Sequence, residues 1–85
     1  MEKIITVQNE TGIHARPASK IVKEAAKYKS SIKIKKEEKV FDAKSIISLM
    51  AMAVSKGEQV TIIAEGVDED LAINAMTNLI LNELE

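Results

Sequence analysis

The pattern that most restricts the fold of this chain is a set of short strand-like segments that are apolar on one side only. Val60, Ile62 and Ala64 alternate with Thr61, Ile63 and Glu65, and Ile32 and Ile34 alternate with lysines. Successive side chains of a strand point to opposite faces, so each segment offers one face to a core and one to water. A sheet of such strands is antiparallel and needs cover on one side only. Residues 3–8, rich in β-branched side chains, read as another strand, although the adjacent Ile4 and Ile5 blur the alternation. Val40-Phe41 follows Lys36-Glu37-Glu38-Lys39 as the second arm of a hairpin that lacks the favoured Asn-Gly, which leaves its turn type open.

The cover comes from helices. From about Ala15 to Tyr28, Ala18, Ile21, Val22, Ala25 and Ala26 recur at helical spacing, with Lys20, Lys23, Glu24 and Lys27 mostly on the other side. Ile46 to Val54 is nearly all apolar, with Ser45 placed as its N-cap and Gly57 near its stop, and reads as a short helix. Asp68, or less favourably Asp70, is placed to cap a last helix whose apolar positions are Leu71, Ala72, Ala75, Met76, Leu79, Ile80 and Leu84. The order is β-α-β-β-α-β-α, an α+β open-faced β-sandwich: a four-stranded antiparallel sheet covered on one face by three helices. With 85 residues there is material for one core, so residues 1–85 form a single domain.

Composition narrows the function. The net charge is -1, the charges are mixed along the chain and aromatics are 2% of residues, so neither a basic stripe nor a stacking platform for nucleic acid is on offer. There are no cysteines, which removes thiolate catalysis, disulfides and Cys-type zinc sites. One histidine without a second neutral ligand makes a poor transition-metal site, so no metal or other cofactor is expected. The N-terminal apolar run is too short for a signal peptide and no run of about 18 apolar residues exists to cross a membrane. The expectation is a cytoplasmic protein with no membrane insertion, monomeric by default.

The chemistry concentrates in Gly12-Ile13-His14-Ala15-Arg16-Pro17-Ala18, which holds the only histidine and the only proline. Pro17 is tolerated in the first turn of a helix and disfavours helical geometry at Arg16, which pins the helix start beside His14. A helix start carries unpaired N–H groups and the positive end of the macrodipole, a place suited to an anion such as phosphate. The same dipole disfavours a second positive charge there, leaving a neutral imidazole with a free ring nitrogen as a nucleophile. Arg16 can pair with phosphate oxygens, and Gly12 lets the loop turn without a side chain in a partner's way. Residue types alone also allow a plainer reading, with His14 a surface or capping histidine, Arg16 a solvated charge and Pro17 helix punctuation. A hydrolytic triad is not available, since no base other than His14 exists to serve a serine.

In this motif, in "KSIISLM" at 44–50 and in the spacing of Gly57 and Gly66, the sequence resembles the HPr phosphocarrier family of the bacterial sugar phosphotransferase system, over essentially all 85 residues. The resemblance implies the same open-faced sandwich, and a carrier in place of an enzyme. His14 would receive a phosphoryl group from phosphorylated enzyme I and pass it to sugar-specific IIA domains, with Arg16, Pro17 and Ala18 at the phosphate. Ser45 matches the serine that an HPr kinase/phosphorylase modifies in Gram-positive relatives of low G+C content, where the product acts with a catabolite control protein. N-capping by Ser45, worth ~1 kcal/mol, is compatible with that role. Ile46, Ile47 and Met50 match positions that the family uses for docking.

On its own residues the short helix can place Ile46, Leu49 and Ala53 toward the core and leave Ile47 and Met50 as an exposed patch, or be buried all round. Departures from the Gram-positive pattern are Ile47 for methionine, Ser48 for glycine and Asp42 for asparagine. Regulatory paralogues of the family lack the active histidine, which this chain keeps. Two other readings stay open: a regulatory module acting through phosphorylated Ser45, and a carrier in a nitrogen-linked relay. The sugars themselves are not legible in the chain.

Overall fold

The alternating segments do form one sheet. In the computed structural model, which describes residues 1–84, the elements are β1 (Glu2–Thr6), α1 (Ala15–Ala25), β2 (Ser31–Lys36), β3 (Lys39–Asp42), α2 (Ile46–Met52), β4 (Gln59–Glu65) and α3 (Glu69–Asn82). The four strands are antiparallel in the order β1-β4-β2-β3. Register carries the apolar alternation across the sheet: Ile5 lies opposite Val60, Ile32 opposite Ala64, and Ile34 between Ile62 and Phe41. Residues directly opposite share a face, so these form the core face. The other face is open, with Ile63 beside Lys33 and Thr61 beside Ile4 and Lys35.

The helices cover the apolar face, and the buried residues make a single cluster. From α1 it takes Ala18, Ile21 and Ala25 of the expected stripe, with Val22 partly buried against it. The helix stops short of the expected Tyr28. Lys27 N–H bonds to Glu24 O and Tyr28 N–H to Ala25 O, a tightening to three-residue bonds that ends α-helical geometry and leaves Ala26 exposed.

Two faces differ from the sequence expectation. In α2 the core residues are Leu49 and Met52, whereas Ile46 and Ala53 are exposed. A segment apolar on all sides carries no period that selects a face, and packing against β3 and α1 decides it. In α3 the cluster takes Ala72, Ile73, Met76, Leu79 and Ile80, with Leu71 66% exposed. Asp68 does occupy the N-cap position, but its side chain makes no cap bond. Its carboxylate accepts from Lys29 N–H at 2.9 Å, Ser30 N–H at 2.9 Å and the Ser30 hydroxyl, tying the end of α1 to the start of α3. Glu69 Oε1 accepts from Gly66 N–H at 3.1 Å, which holds the turn that leads into α3.

The hairpin turn is the two residues Glu37-Glu38, since Lys36 pairs with Lys39. Glu37 has φ 57 and is the one of the two in the left-handed region. Lys36, at the end of β2, reaches across to the C-terminus of α2 and donates to Met52 O at 3.2 Å and Ala53 O at 3.0 Å. It also pairs with Glu58 at 3.3 Å. A cation on the last carbonyls of a helix satisfies acceptors that have no intrahelical donor.

Candidate functional site

His14 is the N-cap of α1. Its backbone is extended (φ -131, ψ -157), its carbonyl accepts from Ala18 N–H at 2.8 Å, and its side chain makes no cap bond. A residue in this place usually spends its side chain on the first-turn amides. Here the imidazole is exposed.

The loop before it is held tightly. Gly12 N–H bonds to Asn9 O at 3.1 Å, and the buried Asn9 side chain returns a bond from Nδ2 to Gly12 O. Gly12 has φ +67, and a Cβ there would collide with Val54 O, so both conformation and space demand glycine. Ile13 is buried and its N–H donates to Val54 O at 2.9 Å. His14 therefore stands on a loop clamped to the segment that follows α2.

Of the residues expected at the phosphate, Arg16 is exposed beside His14, while Pro17 and Ala18 are buried. Pro17 has no N–H and the Ala18 amide is taken by His14 O, so neither supplies the open donors that the sequence reading placed there. The first-turn amides with no intrahelical carbonyl to reach are those of Ala15 and Arg16. A shallow depression joins Thr11, His14, Ala15, Arg16, Pro17 and Leu84. Thr11 brings a hydroxyl three residues before the histidine. Leu84 arrives from the other end of the chain, a juxtaposition that no local pattern announces. Among the described residues no group of three His, Cys, Asp or Glu is placed to hold a metal, and no helix is long and apolar enough to cross a membrane.

The second region lies at the far end of α2. Ser45 is its N-cap and its Oγ accepts from Ser48 N–H at 3.2 Å. Ser48 in turn uses its hydroxyl, which accepts from Asp42 N–H at 2.8 Å, so this departure from glycine ties β3 to α2. Ile47 is 83% exposed, Met50 48% and Ile46 42%, a continuous apolar surface next to Ser45. His14 and Ser45 are not brought together. They cap different helices, and α2 runs antiparallel to α1: Val54, after α2, meets Ile13, while Lys44, before α2, donates to Tyr28 O at 2.9 Å.

Comparison with known proteins agrees with this geometry. Residues 1–82 match the family described as the PTS HPr component phosphorylation site. The phosphocarrier protein HPr of Lysinibacillus sphaericus is 44% identical over 75 residues, covering 88% of this chain and 85% of that protein. The HPr-like protein Crh of Halalkalibacterium halodurans is 42% identical over 83 residues, covering 98% and 99%. The crystal structure of HPr from Thermoanaerobacter tengcongensis superposes with a TM-score of 0.90 at 45% identity, over 94% of this chain and 90% of that one. A structure of an HPr dimer from the same organism gives 0.80 at 43% identity, over 95% and 93%. A helix whose capping histidine is left exposed, carried on a sandwich of this topology and matched nearly from end to end, places the chain in the HPr phosphocarrier family of the phosphotransferase system.

Proposed function

We propose that the chain carries phosphoryl groups on His14, taking them from phosphorylated enzyme I and giving them to sugar-specific IIA domains. The observation that carries this reading is an exposed imidazole at a helix N-cap with no side-chain cap bond, set beside the Ala15 and Arg16 amides. In the step itself the lone pair of a neutral ring nitrogen forms the N–P bond. The bond from phosphorus to the donor breaks, its electron pair staying with the donor. The incoming charge meets the helix dipole and the two amides, which the backbone fixes before it arrives, and the exposed Arg16 guanidinium can swing onto it. Onward transfer reverses the step. A shallow site suits this work, because two different partners must reach the same nitrogen and each brings the remaining groups. The chain then acts as a cytoplasmic phosphorylated intermediate and not as an enzyme, and it works as a monomer at relay concentrations.

The test is labelling with [³²P]phosphoenolpyruvate and a matched enzyme I, on the wild type and His14→Ala. Acid-labile, alkali-stable label on the wild type alone is the expected result. No label with an active enzyme I overturns the reading.

A second reading, regulation through phosphorylated Ser45, is favoured by the exposed Ile46, Ile47 and Met50 beside that serine. Phosphate of about -1.5 to -2 charge at a helix N-cap leaves the fold intact and changes the surface. An HPr kinase/phosphorylase would install it and a catabolite control protein would read it. The similarity to Crh adds weight to this role. His14→Ala keeps such binding if regulation is the main function and abolishes transport if the carrier reading is right. A preference for a nitrogen-linked enzyme I over a sugar-linked one would move the carrier to that relay.

A further inference from the structure

Two polar side chains are buried among the described residues, those of Ser30 and Asn9. Ser30 is fully used, since its hydroxyl and its N–H both donate to Asp68. Asn9 is half used. Its Nδ2 donates to Gly12 O, while its Oδ1 is buried with no hydrogen-bond partner among the described residues. An unpaired buried acceptor costs stability. If filling space were the only task at residue 9, an apolar side chain of similar size would do it without that cost.

The donor half has a specific target. Gly12 O and Ile13 N–H are the two polar ends of one planar peptide unit. Asn9 Nδ2 holds the first end, and Val54 O, at 2.9 Å, holds the second. A peptide next to a glycine at φ +67 turns over readily, since no Cβ opposes the rotation. With both ends bonded, this one cannot turn without breaking two hydrogen bonds. Backbone bonds anchor the loop at Val7, to Gly57 and Glu58, and again at Ile13. Between these points Asn9 is the buried side chain that holds it.

His14 follows directly after Ile13, and its imidazole makes no cap bond of its own, so its place is set through the backbone. We propose that Asn9 is a positioning residue for phosphoryl transfer. Its amide locks the Gly12–Ile13 peptide, so that His14 and the Ala15 and Arg16 amides address the same phosphoryl group. Being buried, Asn9 touches neither the phosphate nor a partner and acts through Gly12 and Ile13. A displacement of about 1 Å at reacting groups is enough to slow a transfer by up to about 100-fold. This inference rests on the carrier reading of His14 given above.

Quench-flow transfer from ³²P-labelled enzyme I tests it, with Asn9→Leu, which fills the place without a donor, and Asn9→Ala, which leaves it part empty. The two differ in packing and share the missing donor. In both, kcat should fall about tenfold with KM for the carrier unchanged, because the docking surface is untouched. The fall should be of one size in both although their melting temperatures differ, which a role in stability alone would not give. A folded variant that transfers at the wild-type kcat overturns the proposal. So does a change confined to KM, or a fall in kcat that tracks melting temperature. Two variants that both fail to fold overturn it as well, since Asn9 is then a structural residue. A wild type that takes no label overturns the carrier reading itself, whereas a labelled wild type with unaffected variants overturns this inference alone.

Discussion

Ile13 N–H donates to Val54 O at 2.9 Å, and through this bond the loop that carries His14 rests on the segment that ends α2. A Cβ at Gly12, one residue earlier, would collide with the same carbonyl. Gly12→Ala adds a Cβ that collides with Val54 O and holds a side chain at positive φ. It should cost about 2–4 kcal/mol of stability by urea unfolding, combining left-handed strain with an overpacked backbone contact. Phosphorylation at His14 should slow further in the protein that remains folded, because the clamp must open.

Lys36 closes the C-terminus of α2 from the neighbouring hairpin. Lys36→Met keeps the aliphatic stem and removes the bonds to Met52 O and Ala53 O. The expected loss is about 1.5–3 kcal/mol, as for a charged hydrogen bond taken from a partly buried place. Amide exchange should show the loosening first at residues 52–55. Lys36→Arg, able to donate to the same carbonyls, should recover part of it.

Asp68 gives a pH signature. The Ser30 hydroxyl, and then the Lys29 and Ser30 amides, hold its carboxyl down to about 2, below the ordinary 3.8. A folded-state value below the unfolded one means stability that is complete above about pH 4 and is lost as pH falls through about 2. Asp68→Asn should therefore be destabilised at pH 7, with the gap to wild type closing in acid. Equal gaps at pH 7 and pH 2.5 would show that the carboxylate charge is not what the three donors hold.

The hairpin offers a gain. Glu37 has φ 57 in a two-residue turn, and glycine is the residue for the first position of a turn with that sign. Glu37→Gly should raise stability by about 0.5–1 kcal/mol in thermal or urea unfolding, the relief of left-handed strain exceeding the added chain entropy.

Ser45 separates capping from regulation. Ser45→Ala leaves Ser48 N–H without its acceptor and should cost ~1 kcal/mol. Ser45→Asp keeps an acceptor and a favourable charge at the helix start, so it should hold stability close to wild type. If it also weakens labelling at His14, charge on α2 and not damage to the cap is responsible.

Much of this was legible in the residues. The period-2 runs of β2 and β4 and the stripe of α1 name their own buried faces, and Pro17 marks the helix start beside His14 to the residue. The face of α2 was not legible, because Ile46, Ile47, Leu49, Met50 and Met52 offer apolar side chains in every direction and only neighbours can choose among them. Asp68 looked like a cap because local spacing shows the helix ahead of it and not Ser30, which lies 38 residues back in the chain. The same limit hid the reach of Lys36 and the arrival of Leu84 at the depression.

Strand order has a consequence for synthesis. β1 leaves the ribosome well before its sheet partner β4, with Ile5 opposite Val60. Val7 also waits for Gly57 and Glu58, and Ile13 for Val54. Bonds of such span form only when the intervening chain is available to be closed into a loop. A nascent chain that has not yet presented Val54 therefore holds the loop of Gly12, Ile13 and His14 without its anchor.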